Sequence, residues 1–335
     1  MAKSVRGPSM HDVAARAEVS HQTVSRVLNG FPGIRPETRA KVEEAIVALG
    51  YRRNLAARTL ATGRSLAIGI MAPDAANFGP TSSVYAVERA AREAGFHPLV
   101  TITDERPESV QQSLDFLFGR DVEALVLMAP TAGVLEVIDT ARAGLPCVFL
   151  LTGNERGRLS VAVDQAEGAR LALEHLHSIG HRHIQHIRGP EDSIEAQLRV
   201  DAYHAFTKAK GIAGYPVLTG DWGAESGYQL GSQLAPEVTA VFCGNDQMAM
   251  GVLHAMAEQG RSVPGDMSVV GYDDIPEARH SWPPLTTVHQ DFRRVGEIAV
   301  GVVVAALSGD EHPDTDLLPP TFVVRASTAP PRPSA

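Results

Sequence analysis

The chain has 335 residues, a length that corresponds to two domains or to two with a small third. Apolar residues make up 44% and charged residues 21%, which is ordinary for a globular protein and excludes a disordered one. The nearest approach to a membrane helix, residues 298–307, is too short, and the polar first twelve residues do not resemble a secretory signal. The two cysteines, Cys147 and Cys243, indicate neither a disulfide framework nor a zinc site. We therefore expect a cytoplasmic protein with no cofactor and no membrane partner.

The net charge of −9 hides an asymmetry along the chain. Residues 1–64 hold 11 Lys and Arg against 5 Asp and Glu, whereas the remainder holds 19 against 34. A basic head on an acidic body is expected where only one end of a protein meets a polyanion. On charge alone, the alternative is a basic tail that only aids solubility.

The head is patterned for three helices. Apolar residues recur at helical spacing over residues 10–17 and predict a first short helix. Ser20 is a suitable N-cap for a second helix, which ends at residues 29–30. Pro36 begins a third helix, which runs to Gly50. Two short helices joined by a three-residue turn and braced by a third predict a helix-turn-helix domain.

From residue 65 onward, short apolar runs alternate with helical segments. The runs lie at residues 66–71, 98–102, 124–128, 147–151, 184–187, 216–218, 240–242, 268–270 and 322–324. This pattern predicts parallel sheets covered on both faces, in two α/β lobes with a ligand cleft between them. We expect the Pro-rich tail, residues 329–335, to be disordered.

The second predicted helix presents a polar face opposite its buried valines. In a helix-turn-helix this face enters the major groove of DNA. Arg26 can bond bidentately to a guanine and Gln22 can pair with an adenine edge, each discriminating by about 1–3 kcal/mol. The short polar side chains suit phosphate contacts, which set register without reading sequence. The alternative is a solvated surface on a small helical bundle. The candidate DNA-binding residues of this face are Ser20, His21, Gln22, Thr23, Ser25, Arg26 and Asn29.

Two runs of the head are similar to the start of lactose-repressor (LacI/GalR) family regulators. They read DVAARAEVS at residues 12–20 and QTVSRVLNG at residues 22–30. The similarity continues through residues 35–39, 49–51 and 54–58 and extends to about residue 328. It implies an N-terminal all-α helix-turn-helix with a hinge helix, followed by an α/β periplasmic-binding-protein-like body of two parallel-sheet lobes. It also implies a dimeric repressor of a palindromic operator on double-stranded DNA, controlled by a small-molecule effector.

The resemblance assigns a hinge helix to residues 54–61. In the family this helix folds on the operator and pairs with its dimer mate in the minor groove. Leu60 falls on the position of an apolar wedge that kinks the duplex, and Asn54 and Ala57 join the DNA-binding candidates. By periodicity alone, Leu55 and Leu60 are core residues of a short helix.

The implied domain limits follow from the same resemblance. The head with its hinge spans residues 1–62 and the body residues 63–328. Within the body we expect an N-lobe of about 66–163 plus 291–318 and a C-lobe of about 164–290 plus 319–328. No leucine heptads follow residue 308, which argues against a heptad-mediated tetramer and favours a homodimer.

Polar loops follow the predicted strands of the body, where they face the crevice between lobes. Together they supply an aromatic plane, amides, carboxylates and a guanidinium, a set that suits a polyhydroxylated ligand. The resemblance to sugar-binding regulators places six residues at effector-pocket positions, namely Arg199, Trp222, Asn245, Asp273, Gln290 and Phe292.

Some pocket positions depart from the family's galactoside-binding pattern, so the resemblance implies a sugar without implying a galactoside. Without the resemblance, Trp222 is equally explained by core packing and Arg199 by a structural ion pair. Asp274 is equally explained as a brace of its loop. The departing positions are Pro73, Asn77, Met128 and Glu195.

A sugar-processing enzyme is the competing function, with Asp246, Asp273 or Asp274 as acid and base. Two carboxylates do this work only at the right separation. No nucleophile elbow, phosphate-binding loop or metal-ligand set accompanies them, and an enzyme does not explain the basic head. A periplasmic carrier is not expected, because the first residues do not resemble an export signal. The histidines at 175, 177, 181, 183 and 186 lack a metal-binding spacing, so we expect no metal.

Overall fold

The computed structural model describes residues 7–52, 59, 63–74, 77–129, 131–141, 144–150 and 159–332. The chain divides into two compact units, Met1–Ser65 and Leu66–Ala335, which we call the head and the body. Within the described ranges, no helix is both long enough and apolar enough to cross a membrane.

Three helices build the head, as the sequence predicts. They are α1 (Met10–Ala17), α2 (His21–Leu28) and α3 (Pro36–Leu49). Ser9 caps α1 in a capping box with Asp12, and Glu18 ends that helix in the left-handed conformation, at φ 54°. Pro36 opens α3 without loss of a hydrogen bond, because its missing N–H has no partner in the first turn.

One apolar cluster holds the three head helices together. Val13, Val24 and Val42 come from one helix each, and none of them has any exposed surface. Full burial of such a side chain contributes about 1.5–3 kcal/mol, so this small core accounts for the packing of the helix-turn-helix. The polar positions between these valines remain at the surface of the head.

Two parallel sheets form the body, which confirms the predicted α/β class. The first has the strand order β2-β1-β3-β4-β5, and the second has the order β10-β9-β6-β7, with β8 also paired to β6. The first sheet consists of β1 (Ala67–Pro73), β2 (His97–Thr103), β3 (Ala124–Met128), β4 (Cys147–Leu150) and β5 (Ser160–Val161). The second consists of β6 (His183–Arg188), β7 (Ala213–Gly214), β8 (Leu218–Thr219), β9 (Ala240–Cys243) and β10 (Ser268–Val270).

Helices cover these sheets and connect their strands. Those that follow the first sheet's strands are α4 (Phe78–Glu93), α5 (Pro107–Phe118) and α6 (Ala132–Ala141). Those of the second are α7 (Gln165–Ser178), α8 (Ile194–Lys210), α9 (Ala224–Gly231) and α10 (Asp246–Glu258), with a 3-10 turn at Pro276–Arg279. The last helix, α11 (Phe292–Ser308), returns to the first sheet and packs against α4, β3 and β4.

Two short strands, one before and one after α11 in sequence, form an antiparallel pair. It joins β11 (Thr287–His289) to β12 (Thr321–Val323), and both strands contact α7. The strands β5, β7 and β11 are not predicted from the sequence, because two or three residues are too few to establish a strand period. The predicted run at 322–324 corresponds to β12, one residue earlier.

The first sheet is covered on both faces as predicted, but the coverage is incomplete at β2. Every residue of β1 is buried, with Ile68 and Ile70 fully enclosed. In contrast, Val100 is 40% and Ile102 is 52% exposed. The physical reason is the position of β2 at the edge of the sheet, where it pairs only with β1.

The predicted disorder of the tail is wrong as far as Arg332. The backbone N–H of Ala329 donates to Ser268 Oγ at 3.1 Å, and the Ser268 hydroxyl donates to Ala329 O at 3.1 Å. Arg332 forms an ion pair with Asp266. These contacts attach the Pro-rich segment to the second sheet because β10 presents a buried serine to it. Residues 333–335 lie outside the described ranges.

Candidate functional site

The predicted DNA-binding residues of the head lie on α2 and at its ends. Ser20 is the N-cap, and its hydroxyl accepts from the backbone N–H of Thr23 at 3.1 Å. Because Val24 and Val27 face the core, the opposite face is presented to solvent. On it His21, Gln22, Arg26 and Asn29 are exposed, whereas Thr23 and Ser25 are half-buried.

Local contacts hold part of this face in place. The hydroxyls of Ser20 and Thr23 are hydrogen-bonded at 2.9 Å, and Asn29 Nδ2 donates to Ser25 Oγ at 3.3 Å. The Arg26 guanidinium lies 5.5 Å from the centre of the Phe31 ring, which is 52% exposed. The two hydroxyls therefore serve the start of the helix, while Arg26 keeps a charged, solvent-facing end.

The predicted hinge residues Asn54, Ala57 and Leu60 lie outside the described residues. Their minor-groove and wedge roles stay predictions from the resemblance.

The cleft of the body is a cavity with about 440 Å³ of empty space, including its open mouth. Five of the six predicted effector residues line it, and the loop at the start of α4 closes it from the first sheet's side. Its position beyond the carboxyl ends of the parallel strands is typical of small-molecule sites. Its lining comprises Asn77, Gly79, Pro80, Ser193, Glu195, Arg199, Trp222, Asn245, Asp273 and Gln290.

Arg199, on α8, is an almost fully buried cation at 2% exposure. Its Nε and Nη2 atoms donate to Gln165 Oε1 at 3.0 and 2.8 Å, and Nη1 donates to the carbonyl of Gly244. Its guanidinium carbon lies 3.9 Å from the centre of the Tyr272 ring. Arg199 is therefore a fixed part of the cavity wall as well as a candidate ligand contact.

Gln165 organises the polar wall, and sequence reasoning missed it. Its Nε2 atom donates to Glu195 Oε1 and to Gln290 Oε1, both at 2.9 Å, while its Oε1 atom accepts from Arg199. The residue is 3% exposed at the first position of α7, directly after the N-cap Asp164. A polar residue at a helix start is normally exposed, so only the fold shows that this one lies inside.

Asp273 follows the second sheet's edge strand at φ 106°, a left-handed conformation that aims its side chain into the cleft. Its Oδ1 atom accepts from Gln290 Nε2 at 2.7 Å. Desolvation raises the pKa of Asp273 to about 7, although Arg199 and Gln290 favour its charged form. This carboxyl therefore changes charge near neutral pH.

Trp222 forms an aromatic plane of the wall, and two glycines make room for it. A Cβ on Gly189 would lie 2.1 Å from the indole Cζ2 atom, and one on Gly244 would lie 3.1 Å from Cζ3. Asn245 fixes the tryptophan backbone, because its Nδ2 atom donates to the Trp222 carbonyl at 2.9 Å. The indole is only partly buried and lines the cavity, so it is not purely a core residue.

Phe292 is the one predicted effector residue that the structure does not place in the cavity wall. It is 8% exposed at the start of α11, edge-on to Phe78 at 5.9 Å between ring centres. A Cβ on Gly79 would lie 3.5 Å from its ring, so Phe292 packs behind the first turn of α4, which lines the cavity. It supports that turn from outside.

Two of the three carboxylates in the enzyme hypothesis are structural. Asp246 has no exposed surface and accepts from Thr287 Oγ1 at 2.5 Å and from the backbone N–H of Ile275 at 2.8 Å. Asp274 forms an ion pair with Arg325, which agrees with its alternative reading as a loop brace. Neither lines the cavity, so these three residues do not form an acid–base pair there.

The four positions that depart from the galactoside pattern divide into two groups. Asn77 and Glu195 line the cavity. Pro73 and Met128 are buried within β1 and β3, and neither is part of the cavity lining. Any change of ligand preference at these positions therefore comes most directly from Asn77 and Glu195.

Two buried histidines, one just before β6 and one within it, make internal hydrogen bonds. His181 Nδ1 is bonded to Thr239 Oγ1 at 2.8 Å, and His186 Nδ1 donates to the carbonyl of Phe242 at 2.8 Å. Desolvation lowers the pKa of His181 to about 4 and that of His186 to about 3, so both are neutral at pH 7. Among the described residues, no group of three metal-binding side chains is close enough to hold an ion.

Comparison with known proteins assigns both units. Residues 9–54 match the family described as bacterial regulatory proteins, lacI family, and residues 173–328 match the periplasmic binding protein-like domain. The chain is 34% identical over 328 residues to the lactose operon repressor of Escherichia coli (strain K12), covering 96% of this chain and 91% of that repressor.

Comparison with solved structures supports the same assignment. The lac repressor dimer bound to operator and the anti-inducer ONPF aligns with a TM-score of 0.88 at 34% identity, covering 97% of this chain and all of that one. A complex of the transcriptional regulator CelR with cellobiose aligns with a TM-score of 0.72 at 30% identity, covering 96% of this chain and 99% of that one.

The fold and these matches define a DNA-binding repressor with a ligand-binding cleft. The chain belongs to the lacI family of bacterial regulatory proteins.

Proposed function

We propose that the protein is a dimeric repressor of sugar-utilisation genes. Its affinity for a palindromic operator is controlled by a small sugar bound in the cleft. The observation that carries this proposal is the pairing of an exposed polar recognition helix with a cavity lined by an aromatic plane, amides and carboxylates. The related structures bind an operator as a dimer in one case and cellobiose in the other.

The head residues receive roles by their position on α2. Gln22 and Arg26 are exposed on the face opposite the core and read base edges in the major groove. Ser20 and Thr23, at the helix start, contact phosphates and set the register. In a dimer, two such helices match the two halves of a palindrome. Asn54, Ala57 and Leu60 add the minor-groove contacts of the hinge.

The cleft residues are proposed to bind the sugar directly. Trp222 covers the C–H face of the ring, while Asp273 and Asn245 lie in the polar wall that meets the hydroxyls. Because the cavity is lined from α4 at one side and from α8 at the other, a bound sugar contacts both lobes. A ligand that binds one lobe arrangement more tightly than the other shifts their equilibrium, which is the requirement for control.

A sugar-processing enzyme is the weaker candidate. Asp246 and Asp274 are held in internal contacts, and the cavity is lined by Asp273 and Glu195 instead. These two carboxylates are joined through Gln165 and Gln290. The arrangement supports binding, and the relatives with which the chain aligns are transcriptional regulators.

The direct test is fluorescence anisotropy with a labelled palindromic duplex from upstream of the protein's own operon and a scrambled duplex as control. We expect tighter, salt-dependent binding of the palindrome and its release by at least one sugar of a panel. Equal affinity for both duplexes with every sugar would refute the proposal. Turnover of a sugar by the purified protein would establish the enzyme instead.

A further inference from the structure

The acid side chains of the cleft have unused acceptor atoms. Asp273 is 7% exposed, and only its Oδ1 atom accepts a side-chain hydrogen bond, so Oδ2 has no partner among the described residues. Glu195 Oε1 accepts from Gln165, whereas Oε2 lies 3.7 Å from Arg199 Nη2, beyond hydrogen-bond distance. Two carboxylate oxygens therefore remain for a ligand that donates.

The donors nearest these carboxylates are bonded within the wall. Arg199 donates to Gln165 and Gly244, and both hydrogens of Asn245 Nδ2 go to the Trp222 carbonyl and to Gln247 Oε1. The guanidinium also lies between aromatic rings, 3.9 Å from the centre of Tyr272 and 5.4 Å from that of Trp222. Arg199 is the one cation among the described lining residues, and three of its five N–H groups already donate within the protein, so an anionic ligand would meet a largely occupied donor.

The charges of the cavity wall also favour a cationic ligand over an anionic one. Two acid side chains, Glu195 and Asp273, share one cation, Arg199. Burial raises the pKa of Glu195 and of Asp273, and the proximity of Glu195 raises that of Asp273 further. In the empty cleft both side chains therefore favour their uncharged forms, and a ligand cation beside them would stabilise the charged forms.

We propose that the effector is a cationic amino sugar, whose ammonium group binds to Glu195 and Asp273 while its ring packs against Trp222. The proposal rests on the proposed function and narrows it to one class of sugar. An ammonium has three donors and no acceptor, which matches two carboxylates with unused oxygens. The same wall disfavours a sugar phosphate or uronic acid, because its two acid side chains outnumber its one cation.

Calorimetric titration of the full-length protein tests this at about pH 7 with three matched sets. Each set contains the amino sugar, the neutral hexose and the uronic acid of the gluco, galacto or manno configuration. In the set that binds most tightly, we expect the amine to bind about tenfold or more tightly than the hexose, and the acid to bind most weakly. A hexose or acid that equals its amine overturns the inference, while release of the operator by that hexose leaves the proposed function intact. Failure of every sugar to bind contradicts both.

The variant Glu195→Gln provides the matched test of the charge. The amide keeps an oxygen that can accept from Gln165 but removes the negative charge, so we expect the preference for the amine to fall about tenfold. Glu174→Gln is the control, since Glu174 lies at the surface and bonds to Lys210 at 3.2 Å; its preference should match wild type. An unchanged preference in Glu195→Gln and also in Asp273→Asn, the second variant, overturns the inference.

Discussion

The polar side chains of the recognition face of the head are exposed, whereas those of the cleft wall are buried and hydrogen-bonded. On α2, Gln22 and Arg26 project into solvent, and the helix is held by a core that does not involve them. In the cleft, Arg199 and Gln290 are 2% and 3% exposed and are bonded to other side chains of the wall. The head therefore separates stability from recognition, whereas the cleft combines them.

This difference follows from what each surface has to bind. DNA supplies a regular, hydrated partner, so exposed side chains on a rigid helix suffice to read it. A small ligand is enclosed, and every polar group that it meets must first be fixed in a buried position. Buried polar groups are costly unless they are hydrogen-bonded, which explains the chain of contacts through Gln165.

The largest change in stability is expected when the buried guanidinium of the cleft, that of Arg199, is removed. Arg199→Ala removes the buried cation and leaves Gln165 Oε1 and the Gly244 carbonyl without their donor, so we expect a loss of about 3–5 kcal/mol in the free energy of unfolding of the body. Urea unfolding followed by tryptophan fluorescence reports on the body, because Trp222 and Trp282 both lie there. Arg293→Ala is the control, since Arg293 is 70% exposed and its pair with Glu297 is worth about 0–1 kcal/mol. Equal losses in the two variants would contradict the structural role of Arg199.

The corresponding substitution in the head, also of an arginine by alanine, should change DNA binding and not the stability of the fold. Arg26→Ala is expected to reduce the preference for the operator over a scrambled duplex by about 1–3 kcal/mol, because a bidentate contact to a base is lost. Its unfolding free energy should change by less than about 1 kcal/mol, the value of an exposed contact with Phe31. Lys41→Ala, an exposed cation on α3, is the control for charge alone. Anisotropy titrations in which both variants lose equal amounts on both duplexes would refute base reading by Arg26.

A smaller effect is expected from the titration of Asp273. Its pKa of about 7 lies above the ordinary 3.8, so between these values the folded state binds a proton that the unfolded state lacks. Stability therefore falls as pH rises through this window. Relative to Asp273→Asn, the wild-type free energy of unfolding should decrease by about 1–3 kcal/mol from about pH 5 to about pH 8.

The control for this pH dependence is Asp201→Asn, since Asp201 is exposed on α8. Its unfolding free energy should follow the wild-type curve. Parallel curves for wild type and Asp273→Asn would show that the carboxyl does not titrate in this range.

The smallest effect concerns the start of the recognition helix. Ser20→Ala removes the cap of α2 and should cost the head about 1 kcal/mol, as should Ser9→Ala at the start of α1. Circular dichroism of thermal unfolding measures both losses. We expect only Ser20→Ala to weaken operator binding as well, because this residue lies on the recognition face. Equal operator affinity in the two variants would show that Ser20 does not contact DNA.

The sequence was sufficient for features that depend on neighbouring residues. The helices of the head follow from local spacing and caps, and β3 and β10 have the predicted bounds. The cleft between two lobes follows from the alternation of strands and helices, whereas its wall residues came from the family resemblance, which included Arg199 and Asp273 of the cavity lining and Phe292 behind it. Gln165 was missed because its role depends on residues 30 to 125 positions away. No local pattern encodes such contacts, nor the edge position of β2.

Control of this repressor requires that occupancy of the cleft and binding of the operator be coupled. The most direct test is to titrate the effector into the full-length protein by calorimetry, with and without saturating palindromic duplex, and to titrate the duplex with and without effector. We predict that the effector weakens operator binding by about fivefold or more and that the operator weakens effector binding by the same factor. Effector affinity that is identical with palindromic, scrambled and no DNA would contradict the account.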